Sequence, residues 1–239
     1  MSQLGAHTVL SFDCYGTLID WESGIVEALH PLTDRLSEPP SRDEVLEAHA
    51  RLESAHQALT PARPYRDILA TVYRRLAEGW RLEASHEEAE AYGRSVARWP
   101  AFPDSAAALR RLKARHRLVI LSNVDNASFA GSARVLGVAF DAVYTAEDVG
   151  SYKPSAANFA YMLARLAERG VAPGDVLHVA ESLFHDHVPA TRLGLATCWI
   201  HRRHGQEGFG ATMDPGERPR VDHRFTSMAA LADALAPST

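Results

Sequence analysis

The stretch "VLSFDCYGTLIDW", Val9 to Trp21, decides the fold. An apolar run ends in Asp13, and Tyr15, Gly16 and Thr17 follow before hydrophobicity resumes. A short run without polar alternation, stopped by turn residues, reads as a strand buried on both faces. Comparable runs recur at 7–13, 117–123, 141–146, 175–182 and 195–201, with helical patterns between them. This alternation predicts an α/β fold: a Rossmann-like parallel sheet with helices on both faces, joined by right-handed crossovers. Residues 103–116, 126–137 and 155–170 supply crossover helices. Asp104 or Ser105 is placed to cap the first, and glycines close the other two.

The interval from Trp21 to about Trp99 reads differently. It carries helical periodicity near 23–36, 41–59, 65–78 and 86–98, broken at Pro39-Pro40, Pro61 and Pro64. The expected organisation is an α/β core from 1–20 and 99–239, with a helical cap, 21–98, inserted after the first strand. The glycine- and charge-rich segment 202–220 reads as a surface loop.

With 239 residues and 46% hydrophobic content, the chain can bury one good core and carry a smaller insert. A formal charge of -5 and the lack of a Lys/Arg-rich block argue against nucleic acid as a partner. No apolar window reaches the roughly 18–20 residues of a membrane span, and "MSQLGAHTVL" lacks an export pattern. Cys14 and Cys198 lie in separate apolar runs and read as reduced, buried thiols, so the expected location is cytoplasmic.

Ligands of an open parallel sheet bind beyond the carboxyl ends of its strands. Polar residues gather there: Asp13, then Ser122 and Asn123, then Lys153, then Glu181, Ser182 and Asp186. One strand-end aspartate could merely cap a turn; four such ends in register indicate a site. Thr17 can return its hydroxyl to Asp13, Ser122 and the adjacent amide can bind an anion, and Lys153 can hold Asp13 ionised.

"FDCYGTLID" followed by "LSN", "YKP" and "ESLFHD" resembles the haloacid dehalogenase superfamily. The resemblance spans essentially the whole chain. It implies a hydrolase whose nucleophile is Asp13, acting under the cap through an aspartyl-ester intermediate. Phosphatases of the superfamily carry a second aspartate two residues after the nucleophile, where this chain has Tyr15, a poor base with a reference pKa of about 10. The "YGT" run is similar to that of the 2-haloacid dehalogenases, whose halide leaves without a proton. The implied reaction is metal-independent displacement of halide from a small 2-haloalkanoic acid by Asp13, giving a 2-hydroxy acid. Lys153, Asp186 and Thr17 would assist, and Asp186 would position the water of the second step. Cys14, Tyr15, Trp21, Ser122, Asn123, Ser182 and His185 are the expected substrate-binding residues.

The resemblance has gaps. Dehalogenases carry an arginine on an early cap helix, an asparagine after the serine of the fourth motif and a tyrosine six residues after the lysine. This chain has no certain arginine, Leu183 and Phe159. His49, Arg51 and His56 on a cap helix are candidate replacements for the halide pocket, and His185 and His187 flank Asp186. Three other readings stay open: a Mg-dependent phosphatase using Asp13, Glu181 and Asp186 as metal ligands, a hydrolase opening a strained C–N ring of a cyclic amino acid, and a non-catalytic binding protein. On the leading reading there is no cofactor, the partner is a small carboxylic acid, and a homodimer is compatible with the habits of relatives.

Overall fold

The computed structural model describes residues 3–237. Six strands form one sheet: β1 (Val9–Phe12), β2 (Arg117–Ser122), β3 (Ala142–Thr145), β4 (Val176–Ala180), β5 (Ala196–Ile200) and β6 (His223–Phe225). Their order is β3-β2-β1-β4-β5-β6, and every pairing is parallel. The chain first builds outward from β1 through β2 to β3, then returns to β1's other edge for β4. Between β1 and β4 lies the topological switch at which such sheets bind ligands. All residues of β1 and β4 are buried, which is why their sequences lack alternation. The short β6, "HRF", offers no apolar run and is not among the five strands expected from sequence.

The helices inserted after β1, ahead of the crossover that leads to β2, are α1 (Trp21–Thr33), α2 (Arg42–Leu59), α3 (Tyr65–Gly79) and α4 (His86–Gly93). Asp20 caps α1 by accepting from the Ser23 amide, while Ser41 with Glu44 and Ser85 with Glu88 form reciprocal capping boxes for α2 and α4. The helix expected over 86–98 ends at Gly93 and continues as a 3-10 turn over Arg94–Arg98. One apolar cluster runs unbroken from Phe12 and Ile120 of the sheet to Ile25, Leu69 and Tyr73 of these helices. The inserted helices are therefore packed onto the sheet's core.

The crossover helices are α5 (Ser105–Lys113), α6 (Asn126–Leu136), α7 (Ala146–Val149), α8 (Ala156–Ala167) and α9 (Val188–Arg192), and α10 (Met228–Ala234) closes the chain. Neither expected cap of α5 serves as one. Asp104 accepts from Arg202 instead, and Ser105 donates to the Leu18 carbonyl.

Segment 202–220 is not a free surface loop. Arg202 donates to the Thr17 carbonyl from Nε at 3.1 Å and Nη2 at 2.9 Å. Arg203 is buried and pairs with Glu22 of α1 at 2.8 Å and Asp43 of α2 at 3.2 Å. The glycine content that suggested looseness instead supplies the turns of a strap fixed by ion pairs.

Candidate active site

Asp13 follows the last residue of β1, and its amide donates to the Val179 carbonyl of β4 at 3.1 Å. The chain then turns sharply. Gly16 takes φ +88°, a left-handed conformation that favours glycine, and the Leu18 and Ile19 amides both donate to the Cys14 carbonyl. This turn brings Thr17 back over Asp13. Its hydroxyl donates to Asp13 Oδ2 at 2.8 Å and accepts from the Glu181 amide at 2.9 Å.

Lys153 reaches the same carboxylate from beyond β3. Asn123 holds its backbone from both sides: Asn123 Nδ2 donates to the Lys153 carbonyl at 2.9 Å, and the Lys153 amide donates to Asn123 Oδ1 at 2.7 Å. Nζ then donates to Asp13 Oδ1 at 2.9 Å, Asp186 Oδ1 at 2.7 Å and the Leu121 carbonyl at 2.9 Å. An ammonium has three protons, so each is committed. Burial alone would lower the Lys153 pKa, but Asp13 and Asp186 together raise it and keep the cation charged.

Asp186 sits in a π-helical turn, Leu183–His187, whose entry is capped by Ser182 accepting from the His185 amide. Such widened turns are common at functional sites because they re-aim a side chain. Beneath it, His178 of β4 donates from Nε2 to Asp186 Oδ1 at 2.9 Å, and Ser11 of β1 donates to His178 Nδ1 at 2.9 Å. A buried chain of hydrogen bonds thus runs Ser11, His178, Asp186, Lys153, Asp13, Thr17. Burial pushes both carboxyls up. For Asp186, Lys153 and His178 overcome that effect and hold it well below the carboxylate range, while Asp13 is left raised, with Lys153 and Thr17 opposing.

These groups floor a small cavity. Core residues Asp13, Lys153 and Asp186 face a wall contributed by the inserted helices, in which Glu53, Gln57 and Tyr65 are the polar members.

The family described as haloacid dehalogenase-like hydrolase matches residues 7–183. The chain belongs to the haloacid dehalogenase-like hydrolases. No curated protein matches it. Solved structures similar to it include the L-2-haloacid dehalogenase PA0810, at 24% identity and TM-score 0.76, covering 96% of this chain and 98% of that one. The L-2-haloacid dehalogenase from Xanthobacter autotrophicus with chloropropionic acid covalently bound is 19% identical at TM-score 0.78, with the same coverages of 96% and 98%. A putative hydrolase of the superfamily, YfnB from Bacillus subtilis, bound to magnesium, is also 19% identical, at TM-score 0.74 and coverages of 96% and 98%. Identities this low establish a shared fold.

Against this haloacid dehalogenase-like frame, the expected residues divide. Asp13, Tyr15, Trp21, Asn123, Lys153, Ser182, His185 and Asp186 all line the cavity, and Thr17 donates a hydrogen bond to Asp13. Asn123's side-chain amide is committed to Lys153 rather than open to a ligand. Cys14 does not line the cavity; its side chain lies in the apolar core. Ser122 is buried with its hydroxyl unpartnered. Tyr15 directs its hydroxyl to Ser132 of α6 at 2.8 Å, away from Asp13, and its ring packs edge-on against Trp99. His187 turns from the cavity and donates to the Ala180 carbonyl.

The candidate replacements for the halide arginine are also corrected. Arg51 is exposed and lines a different cleft, and neither His49 nor His56 lines the cavity. Glu53 and Gln57 of the same helix do. They share a face with the buried Val45, Leu46, His49 and Ala50, and polar residues inside an otherwise buried stripe are the signal that marks them. His178, a polar residue within a fully buried strand, carries the same kind of signal. Phe159, in the place of a family tyrosine, packs on the His178 ring inside the second apolar cluster.

The donor set for a cation does not assemble. Among the described residues no three His, Cys, Asp or Glu side chains stand so as to share an ion. Glu181 lines a separate cleft with Glu22, Arg202 and Arg203, while Asp13 and Asp186 converge on Lys153.

Proposed function

We propose that this hydrolase displaces halide from a small 2-haloalkanoic acid through an ester on Asp13, without a metal. The observation that carries the reading is the pair of contacts at the floor of the cavity. Lys153 and Thr17 hold both oxygens of Asp13, while the position two residues on, Tyr15, turns its hydroxyl to Ser132 and offers no proton to a leaving alcohol. Chemistry that needs no proton there fits best.

An Asp13 oxygen supplies the electron pair of the new C–O bond, the carbon inverts, and halide leaves with the C–X pair. The substrate carboxylate is taken where Ser182 and His185 line the cavity, whereas Ser122, expected there, is buried outside its lining. Water then adds to the Asp13 carbonyl carbon. Asp186 Oδ2, buried without a partner, takes the water's proton. The acyl C–O bond breaks, the departing alkoxide takes the proton held by Asp186 and leaves as the 2-hydroxy acid with an oxygen from Asp13, and the water's second proton, left on the Asp13 carboxyl, passes to solvent. Lys153 stays charged beside the developing oxyanion and stabilises it.

The test is halide release from 2-chloropropionate enantiomers and haloacetates in EDTA, beside Asp13→Asn. Release by wild type alone supports the reading. The magnesium-bound YfnB and the retained Glu181 keep phosphate-ester hydrolysis as the second reading. Phosphate release only with added Mg, and no halide, would replace the first by the second.

A further inference from the structure

An in-line displacement sends the leaving group away from the attacking oxygen. Asp13 attacks from the strand ends, so the halide departs toward the wall built by the inserted helices. That wall brings no arginine or lysine to the cavity; its polar side chains are Glu53, Gln57 and Tyr65. We infer that Glu53 receives the leaving group, donating a hydrogen bond as a neutral carboxylic acid to the halide departing from carbon. The assignment rests on the dehalogenase reading above.

Glu53 is only 4% exposed and is fixed in place, since Gln57 Nε2 donates to its Oε1 at 3.1 Å. His49 Nδ1 lies 3.7 Å from Oε2, too far for a hydrogen bond, and burial lowers that histidine to about 3, so it brings no charge. Burial raises Glu53 to about 7, opposed only by its bond with Tyr65. The other titratable groups around it, Tyr65 and Tyr92 from α3 and α4 and Tyr152 from the core, are themselves held neutral by burial. Across the cavity Lys153 is bound to Asp13 and Asp186. An anion arriving beside Glu53 disfavours its ionised form further. An ionised Glu53 would repel halide; the acid form attracts it.

The electron balance is that of simple displacement. The C–X pair leaves on the halide, and Glu53 keeps its proton while sharing it in a hydrogen bond. The assistance is greatest for the strongest hydrogen-bond acceptor, fluoride, and least for bromide.

The experiment compares fluoride release from fluoroacetate with bromide release from bromoacetate, in full-length wild type, Glu53→Gln and Glu53→Leu, below and above pH 7. Glu53→Leu is expected to lose about tenfold more of its fluoride rate than of its bromide rate. Glu53→Gln keeps the shape and one donor, so it is expected to fall between and to lose the decline in fluoride release expected of wild type above pH 7. Equal losses for both halides, or a decline that persists in Glu53→Gln, would overturn the assignment while leaving the dehalogenase reading intact. No halide from any haloacid in wild type would sink that reading, and this assignment with it.

Discussion

His178 Nε2 stands 2.9 Å from Asp186 Oδ1, the same oxygen that Lys153 Nζ approaches at 2.7 Å, and Asp186 Oδ2 is left buried without a partner. On the other side of the ring Nδ1 lies 2.9 Å from the Ser11 hydroxyl, which fixes the imidazole's orientation. The carboxylate is thus held at one oxygen and left with the other for water. His178→Leu is expected to preserve a single-turnover burst of halide while slowing ester hydrolysis by up to about 10²-fold. Rapid-quench halide assay with intact-mass detection of the Asp13 ester checks this. If the burst vanished together with turnover, His178 would have no selective part in the second step.

The sheet and the strand-end cluster were legible in the sequence because each depends on local signals. Unalternating runs identify β1, β2 and β4; polar residues immediately after β1 and β2 identify Asp13 and Asn123, and Asp186 follows β4 in the next turn. Which face of α2 meets the cavity was not legible from candidate chemistry alone. Histidines and arginine drew attention, whereas the buried stripe through Val45, Leu46, His49 and Ala50 selects Glu53 and Gln57. The strap at 202–220 was missed for a different reason. Its anchors, Arg202 and Arg203, find partners at Asp104, Glu22 and Asp43, and ion pairs between residues so distant in sequence leave no periodic trace.

Tyr15 separates shape from proton transfer. Its hydroxyl bonds Ser132 on α6 and its ring packs on Trp99, so its role is to form the cavity wall. Tyr15→Phe is expected to cost about 1 kcal/mol of stability for the lost hydrogen bond and to change kcat less than about threefold. Thermal melts and halide release measure the two effects separately. A loss of two or more decades in kcat would mean that the phenol takes part in the chemistry.

Stability should peak near pH 6.5. Burial lowers His49 to about 3 and His185 and His187 to about 4, against an ordinary 6.5. The unfolded chain therefore takes up these protons first, and stability falls as pH drops from 6.5 toward 4. Glu53 at about 7 and Glu181 at about 8 act oppositely: above 4.5 the folded chain retains protons that the unfolded chain loses, so stability falls as pH rises to 7 and 8. Between 4.5 and 6.5 the three histidines outweigh the two carboxyls; above 6.5 only the carboxyls act. Melting temperature against pH tests this, and Glu181→Gln should flatten the alkaline fall. A midpoint still climbing at pH 8 would contradict it.

Arg203 ties the strap to the wall of the site. Its Nη1 donates to both oxygens of Glu22 at 2.9 and 2.8 Å, and the Ala211 amide donates to Glu22 at 3.1 Å. Next along, Thr212 shares a hydrogen bond of 2.9 Å with Ser182 at the cavity. Arg203→Ala leaves the shielded Glu22 with the more distant Arg42, at 3.8 Å, and should cost up to about 3 kcal/mol. Lysine should not restore the lost stability, because it cannot reproduce the planar fork that meets Glu22 and Asp43 together. Gly210→Ala is expected to give the same phenotype with the arginine intact, because Gly210 has φ +61° and an added methyl would collide with the Glu22 carboxylate. Limited proteolysis should open a new cut within 204–213 in both variants, and KM should rise as Thr212 releases Ser182. Wild-type melting and an uncut strap in Arg203→Ala would show that the loop is held by its other contacts, leaving Arg203 a surface pair of little consequence.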